Sequence, residues 1–420
     1  MINATMDITI IGDGIAGNTT ASIVKKHNTN ANVTLISEES CPLYSPCVLP
    51  HYLAGSLSRD QIFLKGLKDY TREGIRTVFG ERVESIDTKN NQVFLSNQAV
   101  PYDKLVIATG SEAIVPPIQG LDKEGIFAFK SLSDADKLCS WLGEKAVVIG
   151  SGFIGVEVAV ALKKKGYKVH IVELLDWILP RAFDMKPAAL LKELLEKNGI
   201  RVSVKEKVTN IIGNGEVARI ITDKQEVKCD TVILAAGMKP NVGLAREMGL
   251  KIGKLGGIEV DSQMTTNIGN IYACGDCTET TDFITGDKAL NLLWHNAKQQ
   301  AEIVANNCLG DDRQYHGSMN ITGVDIFGTQ AVSIGITTAN IHPERANDLE
   351  IIEKNWGRDY LRLISHNGLL IGLQSINRTK DIGFLFSAML RKEDLKLPEK
   401  SCTWLFPYLL WQHWIRQCCQ

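Results

Sequence analysis

The stretch YSPCVLPHYLAG, Tyr44 to Gly55, sets Cys47 between two prolines, Pro46 and Pro50. A thiol held in such a turn can act as a redox nucleophile, and it can equally be a small packed residue in a stiff loop. Ser45 and Pro46 suit an N-cap and a first helical position, which would put Cys47 in the first turn of a short helix. Amide dipoles there lower a thiol's pKa and make thiolate available. Pro50 lacks an N–H and works against a regular helix. The other candidates for chemistry are acids: Glu38, Glu173 and Asp276 where apolar runs end, and Glu157 just past a glycine-rich turn.

These acids need elements to hold them. Asp7 to Ile11 is a short apolar run, followed at once by Gly12, Gly14, Ala16 and Gly17. Asn18 to Lys26 reads as a helix, and Val33 to Ile36 as a strand that runs into Ser37 and Glu38. The order strand, G-x-G-x-x-G, helix, strand, acid is a dinucleotide fingerprint. Its glycines let backbone amides approach a pyrophosphate at a helix N-terminus, and its acid takes a ribose hydroxyl. Glu38 stands 26 residues past Gly12, slightly beyond the usual spacing. The pattern returns as Ala146 to Ile149, then Gly150, Gly152, Ile154 and Gly155, a helix to Lys165, and the strand Lys168 to Val172 ending at Glu173. One chain therefore carries two nucleotide-binding units. Each is followed by an apolar strand ending in Ala-x-Gly: Ala108, Thr109 and Gly110 in the first, Ala235 to Gly237 in the second. A third segment, Thr265 to Cys277, reads as a strand ending in Gly275 and Asp276. A helical stretch follows it, and its N-terminus could face a reduced, negatively charged ring.

With 420 residues the chain is too long for one core, so two or three domains are expected. A net charge of −2 gives no electrostatic case for nucleic acid or an anionic membrane. No segment reaches the roughly 18 apolar residues of a membrane span. The N-terminus shows no secretory pattern, and the ten cysteines are scattered, so a cytoplasmic location with mostly free thiols is expected.

The ordered set of motifs resembles the FAD-dependent pyridine nucleotide–disulfide oxidoreductases, closely over residues 6 to 310 and in outline beyond. The resemblance implies an α/β fold: two Rossmann-like nucleotide-binding domains, for FAD and NAD, and a smaller α+β C-terminal domain. It implies an FAD domain in two parts, 1–113 and 242–312, an NAD(H) domain at 114–241, and a homodimer-forming domain at 313–420. Carried over, Gly12, Gly14 and Gly17 would cradle the FAD pyrophosphate and Glu38 its ribose. Val83 would meet the adenine, Thr109 and Gly110 would line the site, and Asp276 would bind the ribityl or phosphate part. Gly150, Gly152, Ile154 and Gly155 would take the NAD pyrophosphate, and Glu173 its ribose. Glu157 resembles a family glutamate beside nicotinamide and flavin. Leu174, Leu175 and Asp176 bring no cation to a 2′-phosphate, so NADH is favoured over NADPH.

The Cys47 stretch is similar to a single-cysteine branch: coenzyme A-disulfide reductases, NADH oxidases and peroxidases. It is also similar to rubredoxin reductases and to flavin subunits of the phenylglyoxylate dehydrogenase type. The resemblance implies an NAD(P)H-dependent FAD oxidoreductase. Its acceptor would be a small disulfide or thiol reached through Cys47, or an iron–sulfur or rubredoxin-like partner protein. A non-catalytic NADH sensor is the remote alternative. Cys274 and Cys277 have C-x-x-C spacing, but a separate redox role is disfavoured because the residues between them are assigned to FAD. His342-Pro343-Glu344 reads as a loop or helix start more than a catalytic pair. The aromatic stretch Trp404 to Trp414 reads as packing first, then as a partner surface and last as a membrane-surface contact, and Cys418 and Cys419 as exposed thiols.

Overall fold

The runs Asp7–Ile11 and Lys104–Ile107 are mostly apolar, as strands covered on both faces of a parallel sheet are. In the computed structural model, which describes residues 5–341, 348–378, 380 and 382–393, they lie side by side in a five-stranded parallel sheet. Its order is Ile271–Ala273, Lys104–Ile107, Asp7–Ile11, Asn32–Ser37, Ile75–Phe79. Ile8, Ile10, Leu35, Val106 and Ile107 are buried there. The helices Ile15–His27 and Trp294–Cys308 pack on one another beside this sheet, with Ala16, Ala297, Ala301 and Val304 in its core.

A second five-stranded parallel sheet repeats the plan, in the order Arg201–Ser203, Lys168–Val172, Lys145–Ile149, Thr231–Leu234, Ile126–Ala128. The two Rossmann-like units are joined where Ser111–Ala113 pairs antiparallel with Met238–Pro240. The helix expected from Asn18 begins at Ile15, one residue after Gly14, and the second begins at Phe153, one after Gly152. Of the expected strand Thr265 to Cys277, only Ile271–Ala273 is strand; Thr265 and Tyr272 face each other in a bridge, so the segment turns back on itself.

Residues 43–64 leave the first unit. Ser45 N–H donates to Ile62 O and Leu64 N–H to Leu43 O, which closes the segment into a loop. Its apolar residues Leu49, Leu53 and Ile62 are buried with Phe129, Leu132, Ala135 and Leu138 of the second unit, and its short helix Leu49–Leu53 packs on Leu132–Ser140 and Phe153–Lys164.

Past residue 320 an antiparallel sheet of five strands forms the third layer, in the order Ile321–Ile326, Thr329–Gly335, Leu369–Ile376, Tyr360–His366, Leu349–Asn355. Asp184, the N-cap of the helix Met185–Lys197, fastens it to the second unit. The buried Asp184 carboxylate accepts from Arg362 Nε at 3.0 Å, Gln374 Nε2 at 2.8 Å, Thr338 N at 2.9 Å and Thr338 Oγ1 at 2.6 Å. No described helix is long and apolar enough to cross a membrane. His342-Pro343-Glu344 and the aromatic and cysteine-bearing C-terminal stretch lie outside the described residues.

Candidate functional site

Both glycine turns are built alike, and each glycine has a physical reason. Gly12 sits at φ +110° and Gly150 at φ +103°, in the left-handed region. A Cβ on Gly12 would fall 2.1 Å from Ala108 O, and one on Gly150 2.3 Å from Ala235 O. The third glycines, Gly17 and Gly155, let each helix lie against its own turn: a Cβ there would meet Gly12 O at 1.9 Å and Gly150 O at 2.2 Å. The middle glycines differ. A Cβ on Gly14 or Gly152 would meet no atom within 4 Å. Both cap helices and face one cleft of about 2240 Å³. The turns thus keep open space beside helix N-termini, where a pyrophosphate is stabilised. The chain fits a dinucleotide at each.

The cleft runs between the units. Gly12, Gly14, Ala16, Glu38, Val83, Ala108, Thr109, Gly110, Gly275 and Asp276 line it from the first, and Gly150, Gly152, Ile154, Glu157, Glu173 and Gly237 from the second. Cys47 lines it too. Gly17 and Gly155 do not; they act from beneath, through packing.

At the far end of the second unit the buried Glu173 carboxylate is fixed by three donors: Ser151 N at 2.7 Å, Ser151 Oγ at 2.6 Å and Leu175 N at 2.8 Å. Leu174 and Leu175 stand exposed beside it. Arg181 and Lys207 also line the cleft, cations that the reading of residues 174 to 176 did not count. In the first unit Glu38 follows the strand Asn32–Ser37 and pairs with Arg82 at 3.7 Å on the surface.

At the centre Asp276 Oδ2 accepts from Ser111 Oγ at 2.7 Å and lies 3.8 Å from Lys130 Nζ. Gly275 N–H donates to Gln300 Oε1 at 2.7 Å, which ties the Gly-Asp turn to the helix Trp294–Cys308. Residues Leu292 to His295 line the cleft, so that helix does begin at it. Lys130 was not singled out from the sequence. The signal was present: Ser131 and Asp134 form a capping box directly after it, which fixes Lys130 at a strand-to-helix turn.

Cys47 lies in the single 3-10 turn Pro46–Val48, with Ser45 as N-cap and the helix Leu49–Leu53 following. The placement agrees with the sequence, and Pro50 sits in the first turn of that following helix, where its missing N–H is tolerated. The electrostatic expectation does not hold. The thiol opens to the cleft, yet its pKa is raised: the surrounding walls withdraw solvent, and the nearby Glu157 carboxylate adds to this. Ser45 and Lys130 work in the opposite direction and are outweighed. One 3-10 turn is too short to assemble a helix dipole large enough to reverse this. Glu157 itself is pushed up by burial from 4.5 to about 7. Asp13, between the first two glycines, is raised by burial to about 6 while bonded to Tyr70 Oη and Asn18 Nδ2.

Cys274 and Cys277 are wholly buried in the core of the first sheet, with thiols pushed up by that burial, and do not face the cleft. Among the described residues no cluster of His, Cys, Asp and Glu could hold a metal.

The profile of the pyridine nucleotide-disulphide oxidoreductases matches residues 6–301. An NADH oxidase of Methanocaldococcus jannaschii is 35% identical over 347 residues, 80% of this chain and 77% of the relative. An assimilatory nitrate reductase electron transfer subunit of Bacillus subtilis is 30% identical over 94% of this chain, which spans 50% of that relative. The solved NAD-dependent persulfide reductase from A. fulgidus superposes with a TM-score of 0.85 at 29% identity, over 92% of this chain and 77% of that one. Two dinucleotide turns facing one cleft, in the family's order and with its fold, make the chain a member of the pyridine nucleotide-disulphide oxidoreductase family, an FAD-dependent NAD(P)H oxidoreductase.

Proposed function

We propose that the protein passes electrons from NADH to a disulfide, persulfide or coenzyme A-linked thiol acceptor through Cys47. The observation that supports this is the thiol's position: it opens into the cleft shared by Asp276, Lys130 and Glu157. Bound FAD supplies the chemistry of taking a hydride from the nicotinamide and releasing the electron pair. Gly12, Gly14, Thr109, Gly110 and Asp276 would hold that cofactor from the first unit, with Glu38 and Val83 at its adenosine end and Lys130, beside Asp276, from the second. Gly150, Gly152, Ile154 and Glu173 hold NADH from the second. Glu157 keeps a proton on its carboxyl near neutrality and lies near enough to Cys47 to raise its pKa. With its pKa raised to about 7 a share of the molecules holds it ionised at neutral pH, and in that form it can take the thiol proton as the sulfur attacks. Cys47 sulfur bonds to one acceptor sulfur and the other leaves as a thiolate, which takes a proton. Two electrons and two protons, one from the hydride of NADH and one from solvent, then free the second thiol and restore Cys47. The balance is NADH, one proton and a disulfide giving NAD⁺ and two thiols.

A homodimer built through residues 313–420, an FAD domain at 1–113 and 242–312 with the NAD domain between them, and a cytoplasmic location belong to the same proposal. A second reading has its own support. The thiol is held less acidic than a free one, and an electron transfer subunit aligns over nearly the whole chain. In that reading electrons leave for a partner protein and Cys47 only packs.

Cys47→Ser decides between them. The thiol route requires a variant that NADH still bleaches but that has lost disulfide or persulfide turnover. A variant that keeps that turnover, or a wild type that has none and reduces a one-electron dye no faster than the variant, gives first place to the second reading.

A further inference from the structure

The segment that carries Cys47 is bound to the second unit by polar contacts as well as by its apolar side chains. Asp136, on the helix Leu132–Ser140, receives all but one of them. Its Oδ1 accepts from Tyr52 Oη at 2.8 Å. Its Oδ2 accepts from Arg59 Nε at 3.1 Å and Nη2 at 3.0 Å. Tyr52 lies in the short helix directly after the cysteine turn, and Arg59 on the return path of the loop. At the other end Tyr44 Oη accepts from Leu132 N at 3.0 Å and donates to Glu39 Oε1 at 3.0 Å. The loop is thus held to one helix of the second unit on either side of Cys47.

The contacts cannot be there chiefly for stability. Arg59 and Asp136 are part-exposed, 49% and 33%, and such pairs contribute at most about 1 kcal/mol. The apolar anchors Leu49, Leu53 and Ile62 already bury the loop. Apolar packing is non-directional, however, and leaves the loop free to turn on its anchors. A three-donor carboxylate fixes direction. What it would fix is where the thiol stands relative to Glu157, which projects from the helix Phe153–Lys164, the other helix under the loop.

We propose that Asp136 is a positioning residue. Through Tyr52 and Arg59 it holds the Cys47 loop on the nicotinamide-binding unit, so that the thiol keeps a fixed relation to Glu157. The thiol then travels with the second unit, although it lies in sequence within the first. The proposal rests on the reading of Cys47 and Glu157 as partners in the site. The groups that bear on the thiol are Glu157, Lys130, Asp276 and Ser45; only the first lies on a helix under the loop.

The test is a double-mutant cycle read at the thiol. Iodoacetamide alkylation of the Cys47 peptide is followed by mass spectrometry in the FAD-loaded protein from pH 6.5 to 9. In the wild-type background Glu157→Gln should speed alkylation at pH 8 by about threefold or more, the effect of half a unit in thiol acidity. In the Asp136→Ala background the same change should alter the rate by less than about 1.5-fold, because the loop no longer holds its register. Asp136→Asn, which can still accept from Tyr52, should restore part of the response and guards against a misfolded alanine variant. Equal acceleration in both backgrounds overturns the clamp. No acceleration in wild type overturns the thiol–carboxyl coupling and the proposal with it. Turnover of Cys47→Ser is measured separately, so the acceptor reading can fail while the cycle still reports on Asp136.

Discussion

Replacing Glu157 by glutamine should stabilise the protein at alkaline pH while disabling it. The Glu157 carboxyl is pushed by burial from its ordinary 4.5 to about 7. Below pH 4.5 both folded and unfolded chains hold the proton, and the residue carries no penalty. As pH rises from 4.5 to about 7, the unfolded chain releases its proton and the folded chain keeps it, so stability is lost across that window. Above about 7 the penalty is complete. At ~1.36 kcal/mol per unit, a rise from 4.5 to about 7 corresponds to roughly 3 kcal/mol. Glutamine matches the side chain in size and never ionises, so it removes the penalty without opening a cavity. Thermal melts of the flavin-free protein should show little difference between wild type and Glu157→Gln at pH 5. At pH 8 the variant should melt higher by roughly 5 °C or more. Disulfide turnover should fall in the same variant. A melting difference that is the same at pH 5 and pH 8, or a variant less stable at pH 8, would refute the argument that burial holds this proton.

The two classes of glycine should respond differently. Gly14→Ala should fold normally but lose FAD, because its Cβ enters open cleft, whereas Gly17→Ala should fail to fold or melt far lower, because its Cβ would stand 1.9 Å from Gly12 O; soluble yield, melting temperature and flavin absorbance separate the outcomes. Glu173 should set nucleotide choice: stopped-flow flavin reduction should be faster with NADH than with NADPH, and Glu173→Ala should narrow the difference. NADPH reducing the wild type as fast as NADH would mean that Arg181 or Lys207 outweighs the carboxylate.

The double Rossmann plan was legible because its constraints are local. A glycine at which any Cβ would fall about 2 Å from a neighbouring carbonyl leaves its mark in sequence, and so does an acid one strand further on. The helices after these turns were legible, but they begin within the glycine motifs, at Ile15 and Phe153, earlier than the sequence reading from Asn18 put the first. What failed to show was non-local. Leu49, Leu53 and Ile62 announce a buried face but not which core it enters, and here they enter that of the second unit. The acidity of Cys47 was misjudged because a local turn was weighed without the walls that bury the thiol, and without Glu157, which arrives from 110 positions away in the chain. Asp136 was passed over because an aspartate on a surface helix is unremarkable until Tyr52 and Arg59 fold back onto it.

The single carboxylate at Asp184 has a consequence for anyone reading mutational data on this protein. It lies outside both glycine turns, yet it ties a sheet whose segments Asn320–Gly323 and Gly335–Ile336 form part of the cleft wall. Removing it would strand the Arg362 guanidinium, 11% exposed, without one of its two counter-charges, Glu353 being the other at 2.6 Å. Breaking a buried pair of this kind costs about 3–5 kcal/mol. The wall would loosen before either nucleotide-binding unit did, and the purified protein would come off the column pale. In a screen scored by colour, a lesion at Asp184 would pass for a cofactor-site mutation although its side chain bonds the third layer.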